Sequence, residues 1–202
     1  MARRKDHTRD QLRDMMLDEG HRLLALGGYA GFSAKEVARN IGYSFGTVHN
    51  VMGGHHEYLA ALNTLTFVEW AAAVEQKLAS DGHDRIEVLV SAYFAFAEDN
   101  PGLWTAIYDH HLPPGMVLPS DQAETRGRLT SIIAAEVARA VPDLGLDRVG
   151  ALTRSLIATV HGHCTMSISG SLALMGEDDP QGAALNRVRD ILWAATRRND
   201  EK

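Results

Sequence analysis

Ten histidines and a single cysteine are the residues through which this 202-residue chain would do metal or covalent chemistry, and their spacing offers little of it. His161 and Cys164 stand at i and i+3 on one helix face, and His110 or His111 from another helix would complete a soft nitrogen and sulfur site. His161 and His163 point roughly 160° apart on an ideal helix and do not chelate together. A nucleophilic set of Cys164, His161 and Asp109 is the other arrangement these residue types allow. No H-E-x-x-H, P-loop, G-x-S-x-G or paired C-x-x-C pattern accompanies them. A lone cysteine is ordinarily a small core residue. The expectation is therefore a chain that is not an enzyme and that holds no metal and no cofactor.

The richer pattern is one of recognition, in FSAKEVARNIGYSFGTVHNVMGGHHEYL, residues 32–59. Ser33 with Glu36 three residues on predicts a capping box that starts a helix. Val37, Ala38 and Ile41 share one face of that helix, Lys35, Arg39 and Asn40 the other, and Gly42 supplies the left-handed conformation that ends it. Ser44 then caps a second helix that buries Val48, Val51 and Met52. Phe45, Gly46, Thr47, His49 and Asn50 are left toward its exposed N-terminal end. Two short helices around a tight turn are how a chain seats one helix in a DNA groove, although Val37, Ile41, Val48 and Met52 are core residues whatever the domain does.

On these residues the chain resembles the tetracycline-repressor-like (TetR-like) family of transcriptional regulators. The resemblance rests on Ser33, Val37-Ala38, Gly42-Tyr43-Ser44, Gly46-Thr47-Val48-His49, Met52, His55 and Leu59, spaced as in the family motif without insertion. Three positions depart from it: His49 stands where the family usually has a phosphate-contacting tyrosine, Met52 where it has phenylalanine, and His55 where it has lysine. The resemblance implies an all-α protein with a three-helix helix-turn-helix DNA-binding domain over residues 1–54 and a larger helical ligand-binding and dimerisation domain over 55–202. It implies a homodimer, formed through the last two long helices, that binds a palindromic double-stranded DNA operator, with repression as the usual sign. DNA contact is expected from Ser33, Lys35, Arg39, Ser44, Phe45, Gly46, Thr47, His49, Asn50 and His55, and the arm of Arg3, Arg4 and Lys5 either reaches a minor groove or is a solvated tail. The resemblance also implies a small-molecule pocket in the C-terminal domain. By helix phase its lining would come from Phe67, Trp70, Phe94, Trp104, Tyr108, His111, His161, Cys164 and Met166. That set suits an effector of mostly apolar character, although each of these residues serves equally well as ordinary core. The rival reading is a helical small-molecule- or metal-binding protein whose DNA-binding head is degenerate.

The elements that must position these residues follow from periodicity. Asp10 to Leu26 reads as a bracing helix ended by Gly27-Gly28, and His55 to Ala79 as a long helix leaving the head. Helices then follow over Arg85 to Glu98, from Pro101 to the Pro113-Pro114-Gly115 break, and from Asp121 to Val141. The chain closes with a long helix near Leu146 to Met175 and another near Gln181 to Arg198. On these two, Leu156, Val160, Ser167 and Gly170 with Leu185, Val188, Ile191 and Leu192 would supply either a dimer face or the core of one subunit. The net charge of −6 argues against non-specific coating of nucleic acid. Residues 1–60 carry 8 Lys and Arg against 7 Asp and Glu, and the remainder 12 against 19, which places the acidic excess outside the head. The charged start MARRKDHTRD, the single cysteine and the His161 and His163 interruption of the longest apolar stretch point to a cytoplasmic protein without a membrane span.

Overall fold

The computed structural model describes residues 7–80 and 84–200 of the chain. Arg3, Arg4 and Lys5 lie outside the described residues. Among those described, every regular element is an α-helix: α1 (Arg9–Gly31), α2 (Ala34–Ile41), α3 (Phe45–Met52), α4 (His55–Ser80), α5 (Arg85–Asp99), α6 (Pro101–Asp109), α7 (Ser120–Ala140), α8 (Leu146–Ile168), α9 (Ser171–Leu174) and α10 (Pro180–Asp200). No helix among the described residues is long and apolar enough to cross a membrane. By packing, the chain divides into two units, Met1–Val68 with Asn100–Thr125, and Glu69–Asp99 with Arg126–Lys202.

The first unit is built on α1. A capping box starts it: the Thr8 hydroxyl accepts from the Gln11 N–H, and the Gln11 side chain returns to the Thr8 N–H. At Ser33, where the spacing to Glu36 predicts the same device, only half of it forms. There the serine Oγ accepts the Glu36 N–H at 3.3 Å, while the Glu36 carboxylate turns to Arg39 at 2.9 Å, because an exposed arginine one turn on competes for it. Near its end α1 is broken at Gly28, whose φ of 61° only glycine adopts freely. Met16 and Leu24 of α1 join Val37, Val48, Tyr58, Leu59, Leu62 and Leu103 in one apolar core. Each such fully buried side chain contributes roughly 1.5–3 kcal/mol. Tyr58 also donates its hydroxyl to the Met16 carbonyl, so its one polar atom is satisfied inside that core. α6 lies so close on α1 that a Cβ on Gly102 would sit 2.2 Å from the Ala25 carbonyl oxygen.

The second unit packs α5, α8 and α10 together. Glu136 is buried and takes both Arg85, at 2.5 and 2.7 Å, and Arg139, at 2.6 Å. Arg189 of α10 reaches Asp84 and Glu87 at the start of α5, at 2.7 and 2.9 Å. The long helix expected to run to Met175 stops at Ile168. Gly170, with φ 74°, leaves the helical region, and the chain resumes as the single turn α9 before Gly176 at φ 82°. Leu156, Val160, Leu185, Val188 and Leu192 are all buried within the protomer. Core packing, the second of the two readings open for these residues, is the one the fold uses. Ile191 is half-buried, and Leu146 and Trp193 on the same helices point outward.

Candidate nucleic-acid interface and apolar cleft

α2 and α3 are eight residues each and are joined by a turn that the sequence dictates closely. Gly42 takes φ 78° and ψ 28°, and the Tyr43 N–H returns to the Ala38 carbonyl at 2.9 Å, closing the end of α2. Ser44 then caps α3: its Oγ accepts the Thr47 N–H at 3.1 Å and lies 2.9 Å from the Thr47 hydroxyl. Val48 and Met52 face inward. Phe45, Gly46, His49 and Asn50 are exposed, and Thr47 is half-buried. The first turn of α3 carries no acidic side chain, so nothing opposes the partial positive charge its N–H groups present.

Of the expected DNA-contacting residues, Lys35, His49 and His55 lie near Phe45 at this end. Lys35 places its ammonium 5.9 Å over the Phe45 ring, and Phe45, 47% exposed, offers an apolar face of the kind that meets a thymine methyl. The His49 ring lies 6.4 Å from that of Phe45. Arg39 is held by Glu36, which neutralises part of its charge. His55 lies with its ring 6.3 Å from Tyr29, 6.1 Å from Phe32 and 5.5 Å from His56. Burial, and then the neighbouring His56, push its pKa below the ordinary histidine value, so at neutral pH it brings a neutral hydrogen-bonding group to this edge. His56 in turn meets His110 across 3.1 Å, fastening the start of α4 to the end of α6. One basic residue that motif matching did not single out also stands here. Arg9 donates to the Asn50 carbonyl at 3.4 Å, placing a guanidinium from α1 beside the exposed face of α3.

The nine expected ligand-lining residues fall in different units. Phe67, Trp104, Tyr108 and His111 belong to the first, where Trp104 is buried with its ring 5.3 Å from that of Tyr108, and His111 is exposed, its Nδ1 3.0 Å from the Asp109 carbonyl. Trp70, Phe94, His161, Cys164 and Met166 belong to the second. There Trp70 stacks on Phe96 at 4.6 Å and meets Tyr93 edge-on at 4.9 Å, and the Tyr93 hydroxyl bonds His161 Nδ1 at 2.9 Å. Burial pushes His161 below the ordinary histidine value. Cys164 is fully buried, and burial, followed by Glu98, raises its thiol to about 12. A thiol so high is not a thiolate at neutral pH, and a nucleophilic role has no support from it. Among the described residues no three His, Cys, Asp or Glu side chains are placed to hold a metal ion.

The second unit does contain a cleft, and none of those nine residues lines it. α5 lends Ile86, Leu89, Val90 and Tyr93, at i, i+3, i+4 and i+7, and faces Ile133 and Val137 of α7, three aliphatic residues of α8 and Val188 of α10. Its volume is about 40 Å³, room for little more than a water molecule. The α5 stripe is visible in the sequence as helical periodicity. That it borders a void depends on how four helices fit, which one helix's pattern does not encode.

The comparisons with known proteins agree with this fold. The sequence profile described as Tetracyclin repressor-like, C-terminal domain matches residues 86–191. The HTH-type transcriptional regulator Rv1816 of Mycobacterium tuberculosis is 27% identical over 139 residues, which cover 67% of this chain but only 58% of that relative's length. Among solved structures, a protein of unknown function from Rhodococcus sp. RHA1 superposes with a TM-score of 0.70 at 22% identity, covering 96% of this chain and 98% of that one. The multidrug binding protein EbrR complexed with imidazole does so with a TM-score of 0.61 at 16% identity, covering 92% and 96%. At such identities the structural likenesses speak for the fold alone. The profile spans more than half of the sequence, and with it the chain belongs to the tetracycline-repressor-like (TetR-like) family.

Proposed function

We propose that this protein is a sequence-specific DNA-binding transcriptional regulator of the cytoplasm, a ligand-responsive repressor that binds a palindromic operator as a homodimer. The observation that carries the reading is α3: capped by Ser44 and buried through Val48 and Met52, it leaves Phe45, Gly46, His49 and Asn50 outward with Thr47 at their edge. In this reading residues 1–54 form the DNA-reading head and 55–202 serve ligand binding and dimerisation. Ser44 to Met52 enter the major groove, where Phe45, Thr47 and Asn50 give specificity, while Ser33, Lys35, His49 and His55 position the head on phosphate. α3 contains neither Lys nor Arg, so affinity leans on Lys35, Arg39 and backbone N–H groups.

The homodimer is supported by the outward face of α8 and α10. There Leu144, Leu152, Ile191 and the exposed Trp193, with Arg148, Arg187 and Asp190, line an open groove of about 610 Å³. An aromatic anchor among aliphatics and arginines has the composition of a protein interface. The effector is a small molecule of mostly apolar character, as the ring cluster of Trp70, Tyr93, Phe96 and His161 in the second unit suggests. EbrR, of similar fold, is by name a multidrug binding protein. Such an effector acts only through its different affinity for the DNA-competent and DNA-incompetent forms.

Sedimentation velocity combined with anisotropy of a selected duplex at two salt concentrations tests this reading. A dimer with strongly salt-dependent affinity, weakened by Asn50→Ala and Thr47→Ala, is the expected result. A folded monomer, or affinity indifferent to both substitutions, would overturn it.

A further inference from the structure

α5, α7, α8 and α10 bring their apolar stripes together without filling the space between them. We infer that the cleft they leave is the closed form of an effector site, and that its ligand is an uncharged aliphatic molecule carrying one hydrogen-bonding oxygen. This inference rests on the reading of a ligand-responsive regulator and names the place and chemistry of its effector.

The walls exclude charge. Of the ten lining residues only Tyr93 carries a polar side-chain atom, and a carboxylate or ammonium set among the rest would lose its hydration without a partner. Arg85, one residue before Ile86, already has both Glu136 oxygens, so an anion would have to displace a buried carboxylate to reach it. Arg126, two turns before Ile133 on α7, is not part of the lining.

The one polar wall faces a neutral partner. The Tyr93 hydroxyl bonds His161 Nδ1 at 2.9 Å, and His161 follows Val160 of the cleft directly. Burial disfavours the imidazolium of His161, whose Nε2 also lies 3.4 Å from the Thr165 hydroxyl, so the polar side of the cleft is a neutral hydrogen-bonded chain, suited to a hydroxyl or carbonyl oxygen rather than to an ion. Trp70, edge-on to the Tyr93 ring at 4.9 Å, holds that ring from behind.

The site has a length and an entrance. From Ile86 to Tyr93 the α5 wall is about 10 Å long at the helical rise. Ile86, Leu89, Ile133 and Ile157 are apolar yet only half-buried, which puts a mouth at that edge. Small-molecule sites usually enclose roughly 300–1,000 Å³, so a ligand must swing these rim side chains aside. Binding acts on conformation as far as the ligand's affinity for this opened form exceeds its affinity for the closed one.

Calorimetric titration of the full-length protein with n-alkanols from 1-butanol to 1-decanol, and with the matching carboxylates at pH 7, tests the inference. Saturable binding of 1-octanol is expected, with affinity rising along the series until the slot is filled and octanoate at least tenfold weaker (roughly, from the cost of burying a charge). Tyr93→Phe should weaken 1-octanol by about 2- to 12-fold, the worth of one hydrogen bond. Val160→Phe, which fills the cleft, should abolish binding at unchanged helix content, and Ile157→Trp blocks the mouth should the first variant fail to fold. No saturable alkanol binding, octanoate binding as tightly as octanol, or binding untouched by both blocking variants would overturn the inference. Alkanol binding that leaves operator affinity unchanged would keep the site and remove ligand responsiveness from the proposed function.

Discussion

Gly102→Ala is a one-methyl change whose consequence is worked from the contact between α1 and α6. The new Cβ would stand 2.2 Å from the Ala25 carbonyl oxygen, 2.7 Å from that of Leu24 and 2.8 Å from the Ala25 carbonyl carbon. All three are backbone atoms of a helix, which cannot rotate away as a side chain would. The two helices must separate by about 1 Å, a core overpacking that costs roughly 1–3 kcal/mol, and rigid neighbours place it near the upper end. The helix preference of alanine over glycine returns at most about 0.5–1 kcal/mol, leaving a net loss of about 2 kcal/mol. Gly127→Ala is the internal control, since nothing beyond its own stretch of α7 lies within 4 Å of its Cβ position and the same substitution should stabilise by about 0.5–1 kcal/mol. Urea unfolding followed by tryptophan fluorescence, with Trp104 reporting from α6 itself, measures both. Because α1 also packs on α2 and α3, Gly102→Ala should lower operator affinity as well. A neutral or stabilising Gly102→Ala would refute the close packing of α6 on α1.

At the reading face, Asn50→Ala should cost about 1–3 kcal/mol on the preferred sequence and relax preference at one base position, whereas Lys35→Ala should weaken all sequences alike and lower the salt slope by about 1; anisotropy on matched and mismatched duplexes separates the two. Glu136→Gln leaves Arg85 and Arg139 with a weaker partner. Arg85 is 38% exposed, so the loss is discounted for solvent to about 1–2 kcal/mol, read by urea titration. Stability should be flat from about pH 7 to about pH 8, fall above the ordinary thiol value because buried Cys164 keeps its proton in the folded chain, and fall in two stages on acidification. His55 and His161 have native pKa values held down, so the unfolded chain takes their protons first and stability drops below the ordinary histidine value near 6.5. Asp84 and Glu136 are held down by their arginines, and Glu19, held mainly by Arg22, lies at about 2, so a further loss begins below the ordinary carboxylate range and for Glu19 continues to about pH 2. A Tm that rises between pH 7 and pH 5 would contradict this sign.

What could be read from the sequence was local. Ser44, Gly42 and the i, i+4 spacing of Val48 and Met52 specify a cap, a left-handed turn and a buried stripe without reference to the rest of the chain, and the structure places all of them so. Gly170 escaped because isolated small residues inside an apolar run are tolerated in helices, and only its φ of 74° shows that this one breaks α8. Leu156, Val160 and Val188 lie on helices that carry apolar residues on more than one face, so periodicity could not choose between core and dimer face; their burial decides it. The cleft beside Tyr93 was out of reach for a different reason, although the α5 stripe that holds Tyr93 was legible. A void is a misfit among four helices, and no single segment carries its record. Arg9 likewise comes to Asn50 across 41 positions of sequence.

The central claim is that α3 reads DNA sequence, and selection of bound duplexes from a random pool tests it most directly. The account predicts an enriched palindrome whose half-sites stand one helical turn apart, roughly 34–36 Å centre to centre, or at a multiple of it. It also predicts that Asn50→Ala shifts or erases the enriched half-site while the protein stays folded. No enrichment from a folded wild-type dimer at low salt, or an enriched sequence that Asn50→Ala and Thr47→Ala leave unchanged, would contradict it.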